Sequence, residues 1–244
     1  MYKTTKALVL REVKYKEADR ILTVLTEDEG KQTLKAQGAL RKTSKYGAAT
    51  QVLTWSELTL FGNRGRWAVR EGTVIEGFEG LRMDLEALSI ASYIAEVMEA
   101  VSDEDVPNPS VLQLGLNSLY ALSHDLCPKE QVKAVFELRL ACLTGYAPEL
   151  TGCVICGSPH EIMHFSPDKG GLVCRNCYGY DVNRISPACL AAMRHVASAP
   201  AKKIFSFALT GEAVQEFSVT CELYLLSQLE RNFASLDYYK RIRI

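Results

Sequence analysis

The sequence predicts an α+β multidomain chain: a five-stranded β-barrel at the N-terminus, then an all-α helical domain interrupted by a four-cysteine insert. Three observations carry this prediction. Runs rich in Val, Ile, Leu and Thr alternate with turn residues over positions 1–80, apolar residues recur at three- and four-residue spacing from about residue 84, and two Cys-x-x-Cys pairs stand 17 residues apart. At 244 residues, 48% of them hydrophobic, the chain can bury a sizeable core, and its length favours division into two domains.

The barrel strands are predicted at Lys6–Val13, Ile21–Thr26, Lys31–Ala36, Thr50–Phe61 and Arg66–Glu79. Glu27-Asp28-Glu29-Gly30 is a tight connection that makes a hairpin of the second and third, with Gly30 supplying positive φ. Leu53 and Trp55 share one parity while Leu58 and Leu60 share the other, so the buried face switches near Ser56 and Glu57, where a bulge or bend is expected. Five strongly bent strands in this length fit an OB-fold, the commonest five-stranded barrel, with an SH3-like barrel as the alternative.

Beyond residue 84, Leu85, Leu88, Ala91, Ile94, Ala95 and Met98 form the stripe of a core-facing helix. Asn108-Pro109-Ser110 interrupts it, with Ser110 as expected N-cap of a second helix, and a third runs from Lys129 to Leu143. Ser186-Pro187 offers a capping hydroxyl and an N1 proline before a short helix. A last helix is predicted from Glu212 to about Phe233. The expected domains are 1–80, 81–150 and 183–244 as two parts of the helical domain, and 151–182 as the insert, joined at Pro148–Gly152.

Within the insert, Cys153-x-x-Cys156 and Cys174-x-x-Cys177 match the spacing of a four-sulfur zinc site. Each Cys-x-x-Cys turns two thiolates toward one point, so two such knuckles complete a tetrahedron about one structural Zn²⁺. Gly157, Gly170-Gly171 and Gly179 support the turns of a zinc-ribbon-like module. A pair of disulfides, an iron site of the same geometry and a degenerate ribbon that keeps its thiols without metal are the alternatives. Cys127, Cys142, Cys189 and Cys221 fall on helical patterns and read as small core hydrophobes.

Enzyme classes find no support. His160-Glu161 and Val173-Cys174 depart from a zinc deaminase motif, no phosphate-binding Gly-rich loop occurs, and His124, His160, His164 and His195 have neither triad nor metal-helix spacing. No apolar run approaches the roughly 18 residues of a membrane helix, and eight cysteines without an export signal point to reduced thiols and the cytoplasm.

The net charge of −1 is unevenly spread: residues 1–80 carry +4, residues 81–150 carry −7 and residues 151–244 carry +2. The basic first block suggests a polyanionic partner and the acidic second block either a different partner or plain solvation. Lys35, Arg41, Lys42 and Lys45 cluster within eleven residues, and Arg64 and Arg66 flank the next turn. From charge alone, a solvated loop that merely keeps the barrel soluble is the better account of them.

Several of these segments together resemble the RecO family of bacterial recombination mediators. Ala7-Leu8-Val9-Leu10, Tyr15-Lys16-Glu17-Ala18-Asp19-Arg20-Ile21-Leu22-Thr23, then Leu25-Thr26 and Gly30 are similar to that family's opening, and Gly38 with Arg41-Lys42-Thr43-Ser44-Lys45 to its basic loop. Cys153, Cys156, Cys174 and Cys177 are similar to the zinc insert of the members that carry one. The resemblance implies an OB domain, a helical domain, a zinc module and no catalytic centre. It implies binding of single- and double-stranded DNA, annealing of complementary strands, and action with a RecR-type partner to load RecA recombinase onto strands coated by single-strand binding protein, in the cytoplasm at the nucleoid.

With the resemblance, Lys35, Arg41, Lys42, Lys45, Arg64 and Arg66 become the expected DNA contacts, neutralising phosphates without reading sequence. Tyr46, Trp55, Phe61 and Trp67 are considered as base-stacking residues, but the alternation around the two tryptophans fits a barrel core better and none is assigned that role. The competing functional reading is a zinc-containing adaptor that docks proteins through its acidic helices and does not touch DNA.

Overall fold

A computed structural model describes the chain except residues 64, 160, 161, 178–182 and 244, and except the side chains of Asn63, Ile162, Met163, Asn183 and Arg184. Arg64, His160 and Gly179, each singled out in the sequence, therefore lie outside the described residues. The chain forms two compact units, Met1–Ser123 with Phe233–Ile244, and His124–Asn232.

The first unit opens with five strands, β1 (Tyr2–Tyr15), β2 (Asp19–Thr26), β3 (Gly30–Ala36), β4 (Trp55–Asn63) and β5 (Arg66–Glu76). They close into a barrel in the order β1-β2-β3-β5-β4, the five-stranded closure of an OB-fold. The long β1 pairs with β2 along its C-terminal part and with β4 along its N-terminal part, bending at a register shift between Val9 and Arg11. A short parallel pairing, Leu34 with Trp67 and Lys35 with Ala68, completes the circuit between β3 and β5. Alternate residues point inward, so Ala7, Val9, Leu22, Val24, Leu34, Leu58, Leu60 and Val69 fill the interior.

The β2–β3 hairpin is as the sequence predicts: Thr26 pairs with Gly30, whose φ of 71° is left-handed. A second constraint acts there, because a Cβ on Gly30 would lie 2.0 Å from the Val106 carbonyl oxygen. The expected irregularity of the fourth strand is a register shift between Trp55 and Ser56. That strand begins at Trp55 rather than Thr50, however, because Ala48–Thr50 is a 3₁₀ turn and Leu53 is left-handed at φ 62°. Leu53 and Thr54 instead pair with Val9 through backbone bonds of 2.8 and 3.1 Å.

Helices α1 (Leu85–Val101), α2 (Pro109–Ser123) and α6 (Ala234–Ile242) complete this unit. Asp84 caps α1, accepting the N–H groups of Glu86 and Ala87. Of the predicted stripe, Ala91, Ile94, Ala95 and Met98 are buried, whereas Leu85 is exposed and Leu88 half-buried. Asn108, not Ser110, caps α2: its Oδ1 accepts the Val111 N–H at 3.2 Å, which leaves Pro109 in the first turn where its missing donor costs nothing. The helix predicted from Glu212 to about Phe233 ends earlier, at Leu229, because Glu230 adopts a left-handed conformation, so that two helices follow Glu212, the later one beyond the predicted range. The second of these, α6, is held by Glu96, which accepts the Ser235 N–H at 3.0 Å, and by Phe233 edge-on to Tyr93.

The second unit contains α3 (Lys129–Leu143), α4 (Pro187–Ser198) and α5 (Glu212–Leu229), with a three-stranded sheet, β6 (Ile162–Ser166), β7 (Gly171–Cys174) and β8 (Asn183–Arg184), in the order β7-β6-β8. Ser186 caps α4 as expected, accepting the Cys189 N–H at 3.1 Å. The sheet is seated on the helices by Phe165, edge-on to Tyr224 at 5.3 Å, by Gln228 donating to the Pro167 carbonyl and by Arg194 donating to the Leu150 carbonyl.

Between α3 and α5 lies a buried ion cluster. The Lys133 Nζ is 2.9 Å from Glu137 and 2.7 Å from Glu222, with Lys133 and Glu137 wholly inaccessible. Burial alone would push the ammonium toward neutrality, but the two carboxylates outweigh it and hold its pKa above the usual value. Removing the cation would leave two buried carboxylates facing each other. Lys133→Met is therefore expected to cost about 3–5 kcal/mol of unfolding free energy, measured by urea denaturation; a loss under about 1 kcal/mol would contradict this account.

Candidate metal centre and nucleic-acid interface

The two cysteine knuckles are built by local backbone bonds. Gly157, at φ 74°, lets the chain reverse so that its N–H donates to the Cys153 carbonyl at 2.8 Å, while the Cys153 N–H donates to the Ser158 carbonyl at 2.9 Å. Val154 donates to the Leu172 carbonyl and so fixes this knuckle against β7, which itself ends in Cys174. The 3₁₀ turn Arg175–Cys177 returns the fourth thiol. The expected hairpin turn is present, with Gly170 at φ 73° beside Gly171 in the β6–β7 connection.

The Sγ atoms of Cys153, Cys156, Cys174 and Cys177 all lie within 4.8 Å of one another, and those of Cys156 and Cys174 are 3.6 Å apart. A tetrahedron with metal–sulfur bonds of about 2.3 Å has edges of about 3.8 Å, so the four sulfurs can hold one metal ion. Cys153 and Cys174 are buried, Cys177 is half-buried and Cys156 is exposed. Burial pushes the Cys153 thiol up, but N–H groups of Cys174, Cys156 and Ile155 outweigh this and bring it down to about 6. Hydrogen bonds with Cys156 and Cys174 push Cys177 up to about 12.

The remaining thiols differ. Burial raises Cys127 to about 11, Cys189 to about 12 and Cys221 well above its usual range, so they are poor thiolates. Cys189 and Cys221 are core residues as predicted, whereas Cys127 and Cys142 are only half-buried.

On the barrel, the loop after β3 is pinned at its base. Gly38 donates to the Asp19 carboxylate at 2.8 Å, Leu40 donates to the Ala18 carbonyl at 3.0 Å, and Lys35 forms an ion pair with Asp19 at 3.1 Å. Ala39 is buried and anchors the loop in the barrel core, while two successive turns, Arg41 N–H to the Gly38 carbonyl and Ser44 N–H to the Arg41 carbonyl, carry the basic residues outward. Arg41, Lys42 and Lys45 are exposed and make no ion pair among the described residues. Arg66, the first residue of β5, is exposed. Arg70, which the sequence did not single out, joins Arg41, Gln37 and Tyr46 around a shallow cavity of about 290 Å³.

Of the aromatic residues considered from the sequence, Trp67, Phe61 and Tyr46 are occupied. Trp67 has the Lys3 ammonium 3.7 Å from its ring and rests on Gly62, where a Cβ would come within 2.6 Å of it. Phe61 has Tyr2 at 5.0 Å and the Arg70 guanidinium at 5.1 Å. Tyr46 donates its hydroxyl to the Gln37 carbonyl and is half-buried. Trp55 lines a groove with Glu27, Leu112, Gln113 and Leu116.

Comparison with known proteins agrees with this architecture. The family model described as Recombination protein O N terminal matches residues 1–78, and that described as Recombination protein O C terminal matches residues 82–237. The chain belongs to the RecO family. It is similar to the DNA repair protein RecO of Acetivibrio thermocellus, at 35% identity over 99% of this chain and 97% of that one. It is similar also to the protein of the same name from Alkaliphilus metalliredigens, at 30% identity over 98% of each chain, and to that of Symbiobacterium thermophilum, at 29% over 97% and 96%. RecO membership accounts for the barrel and the helices in one chain.

Asp19 is the residue the charge pattern concealed. As an acidic residue it counts against polyanion binding, yet it aligns the basic loop of this RecO member by accepting the Gly38 N–H. That bond and the Lys35 ammonium hold its carboxyl below the ordinary 3.8. The folded value is depressed, so the stabilisation is complete above the unfolded value and is lost as pH falls through the folded one. An NMR titration should find the Gly38 amide shift following a group with a midpoint below 3.8, and Asp19→Asn should abolish that titration. A midpoint at or above 3.8 would show that Asp19 does not hold the loop.

Proposed function

We propose that this protein is a non-enzymatic DNA repair and recombination mediator, which binds single- and double-stranded DNA through the basic face of its barrel and anneals complementary strands. With a RecR-type partner it helps RecA recombinase assemble on single strands covered by single-strand binding protein, in the cytoplasm at the nucleoid. Family membership supports the biological setting. The observation that carries the physical reading is the projection of Arg41, Lys42 and Lys45, unpaired among the described residues, from a loop pinned to the barrel.

Each exposed cation placed near a phosphate releases condensed counterions, which gives affinity independent of base sequence. Annealing then follows from holding two screened strands with their bases available, so that complementarity supplies the specificity. Lys35 is expected to contribute less than the loop residues, because Asp19 already compensates its charge. Arg66, the first residue of β5, and Arg64, which lies outside the described residues, complete the proposed contact set.

Cys153, Cys156, Cys174 and Cys177 are proposed to bind one structural Zn²⁺. Four sulfur donors close the coordination shell and leave no place for substrate. The working division is residues 1–80 for nucleic acid, 81–150 and 183–244 as the helical body, and 151–182 as the zinc module.

Two experiments test this. Purified protein should shift a labelled single strand, and Arg41→Glu with Lys42→Glu should weaken binding about tenfold or more at low salt and flatten the log–log salt dependence by about 1.4. An unchanged affinity, or no binding by the wild type, would favour the protein-docking adaptor instead. Cys153→Ser should reduce zinc below one ion per chain and lower thermal stability, because metal binding supplies on the order of 10 kcal/mol to so small a module. Full zinc content in that variant would refute the ligand assignment.

A further inference from the structure

The β1–β2 hairpin ends in Tyr15 paired with Asp19, leaving Lys16, Glu17 and Ala18 as its tip. Tyr15 is 44% exposed, although a ring of that size normally finds a partner in a barrel this small. Lys14 stands before it and Lys16 after it, and the Nζ atoms of Lys16 and Lys35 are 5.5 and 5.6 Å from the ring centroid. Both ammonium groups lie over the ring near the outer limit of a cation–π contact, and 44% of the residue still faces solvent. Trp67, Phe61 and Tyr46 each have a close partner instead.

The tip is also joined to the basic loop. Ala18 accepts the Leu40 N–H and Asp19 accepts the Gly38 N–H, so Tyr15 and the loop bearing Arg41, Lys42 and Lys45 belong to one continuous surface. Lys16 adopts φ 56°, a conformation that L side chains seldom take. An open aromatic ring among lysines, next to a line of unpaired cations, combines the two elements of a single-strand site: a stacking platform and an electrostatic track.

We propose that Tyr15 is a stacking platform for an unpaired nucleobase, with Lys14 and Lys16 holding the phosphates on either side of that base. The proposal rests on the reading of the barrel as a single-strand binding surface and adds to it a contact with bases. It makes the β1–β2 hairpin a discriminator between single strands, whose bases can swing onto the ring, and duplexes, whose bases are already stacked.

The test uses the full chain, a fluorescein-labelled thymidylate oligomer and an abasic chain of equal length, with affinity read by anisotropy at several salt concentrations. Tyr15→Ala should weaken thymidylate binding about tenfold or more and change abasic binding by less than about twofold, with the salt slope unaltered, because stacking moves no charge. Tyr15→Trp should restore thymidylate binding. Equal losses on both ligands, or an unchanged thymidylate affinity beside a wild type that binds, would overturn the platform while leaving the DNA reading intact. A wild type that binds neither ligand would overturn both. Circular dichroism melting of each variant separates these outcomes from misfolding, and restoration by Trp is a result that a folding defect would not produce.

Discussion

One carboxylate organises the charged face of the barrel. Asp19 sits where β2 begins, buried between the β1–β2 tip and the loop that follows β3, and accepts from Gly38 while pairing with Lys35. Two connections far apart in sequence are thereby held at a fixed spacing, and the residues beyond them inherit that spacing. A surface lined with cations ordinarily spreads by mutual repulsion, and a negative charge at its base limits the spreading. The arrangement makes a rigid basic surface out of segments that would each be a mobile loop alone.

The cysteine module solves a different problem. Its three strands are short, and β8 has only two residues, so the sheet buries few apolar side chains of its own. It is held from two sides: the sulfur cluster gathers both knuckles, and Phe165, Gln228 and Arg194 bind the sheet and its approach to the helical body.

Much of this was legible in the sequence, and the exceptions share a cause. Strand alternation found the five barrel strands, and the cysteine spacing found the four sulfurs, because both signals are local. The start of β4 was misplaced because Leu53 is buried by capping the barrel end through Val9, not by strand pairing, and burial alone cannot distinguish the two. Asn108 was overlooked as a cap although Asn-Pro offers the same logic as Ser186-Pro187, the adjacent serine being an equally good candidate by type. The helix α6 carried too short a pattern to announce itself beyond Glu230. Tyr15 and Asp19 were visible only as part of a familiar segment, since the exposure of one and the bonds of the other arise from chain reversal.

The Lys133 cluster has a consequence of another kind. One positive and two negative side chains meet where Lys133 and Glu137 are closed to water and Glu222 is mostly covered, so exchanging any single member strands a charge, whereas exchanging all three for apolar groups of similar volume is tolerable. Positions 133, 137 and 222 are therefore one inherited character rather than three. In any lineage carrying this cluster they should drift together or stay still, and a descendant that has lost one of them should have replaced the others as well.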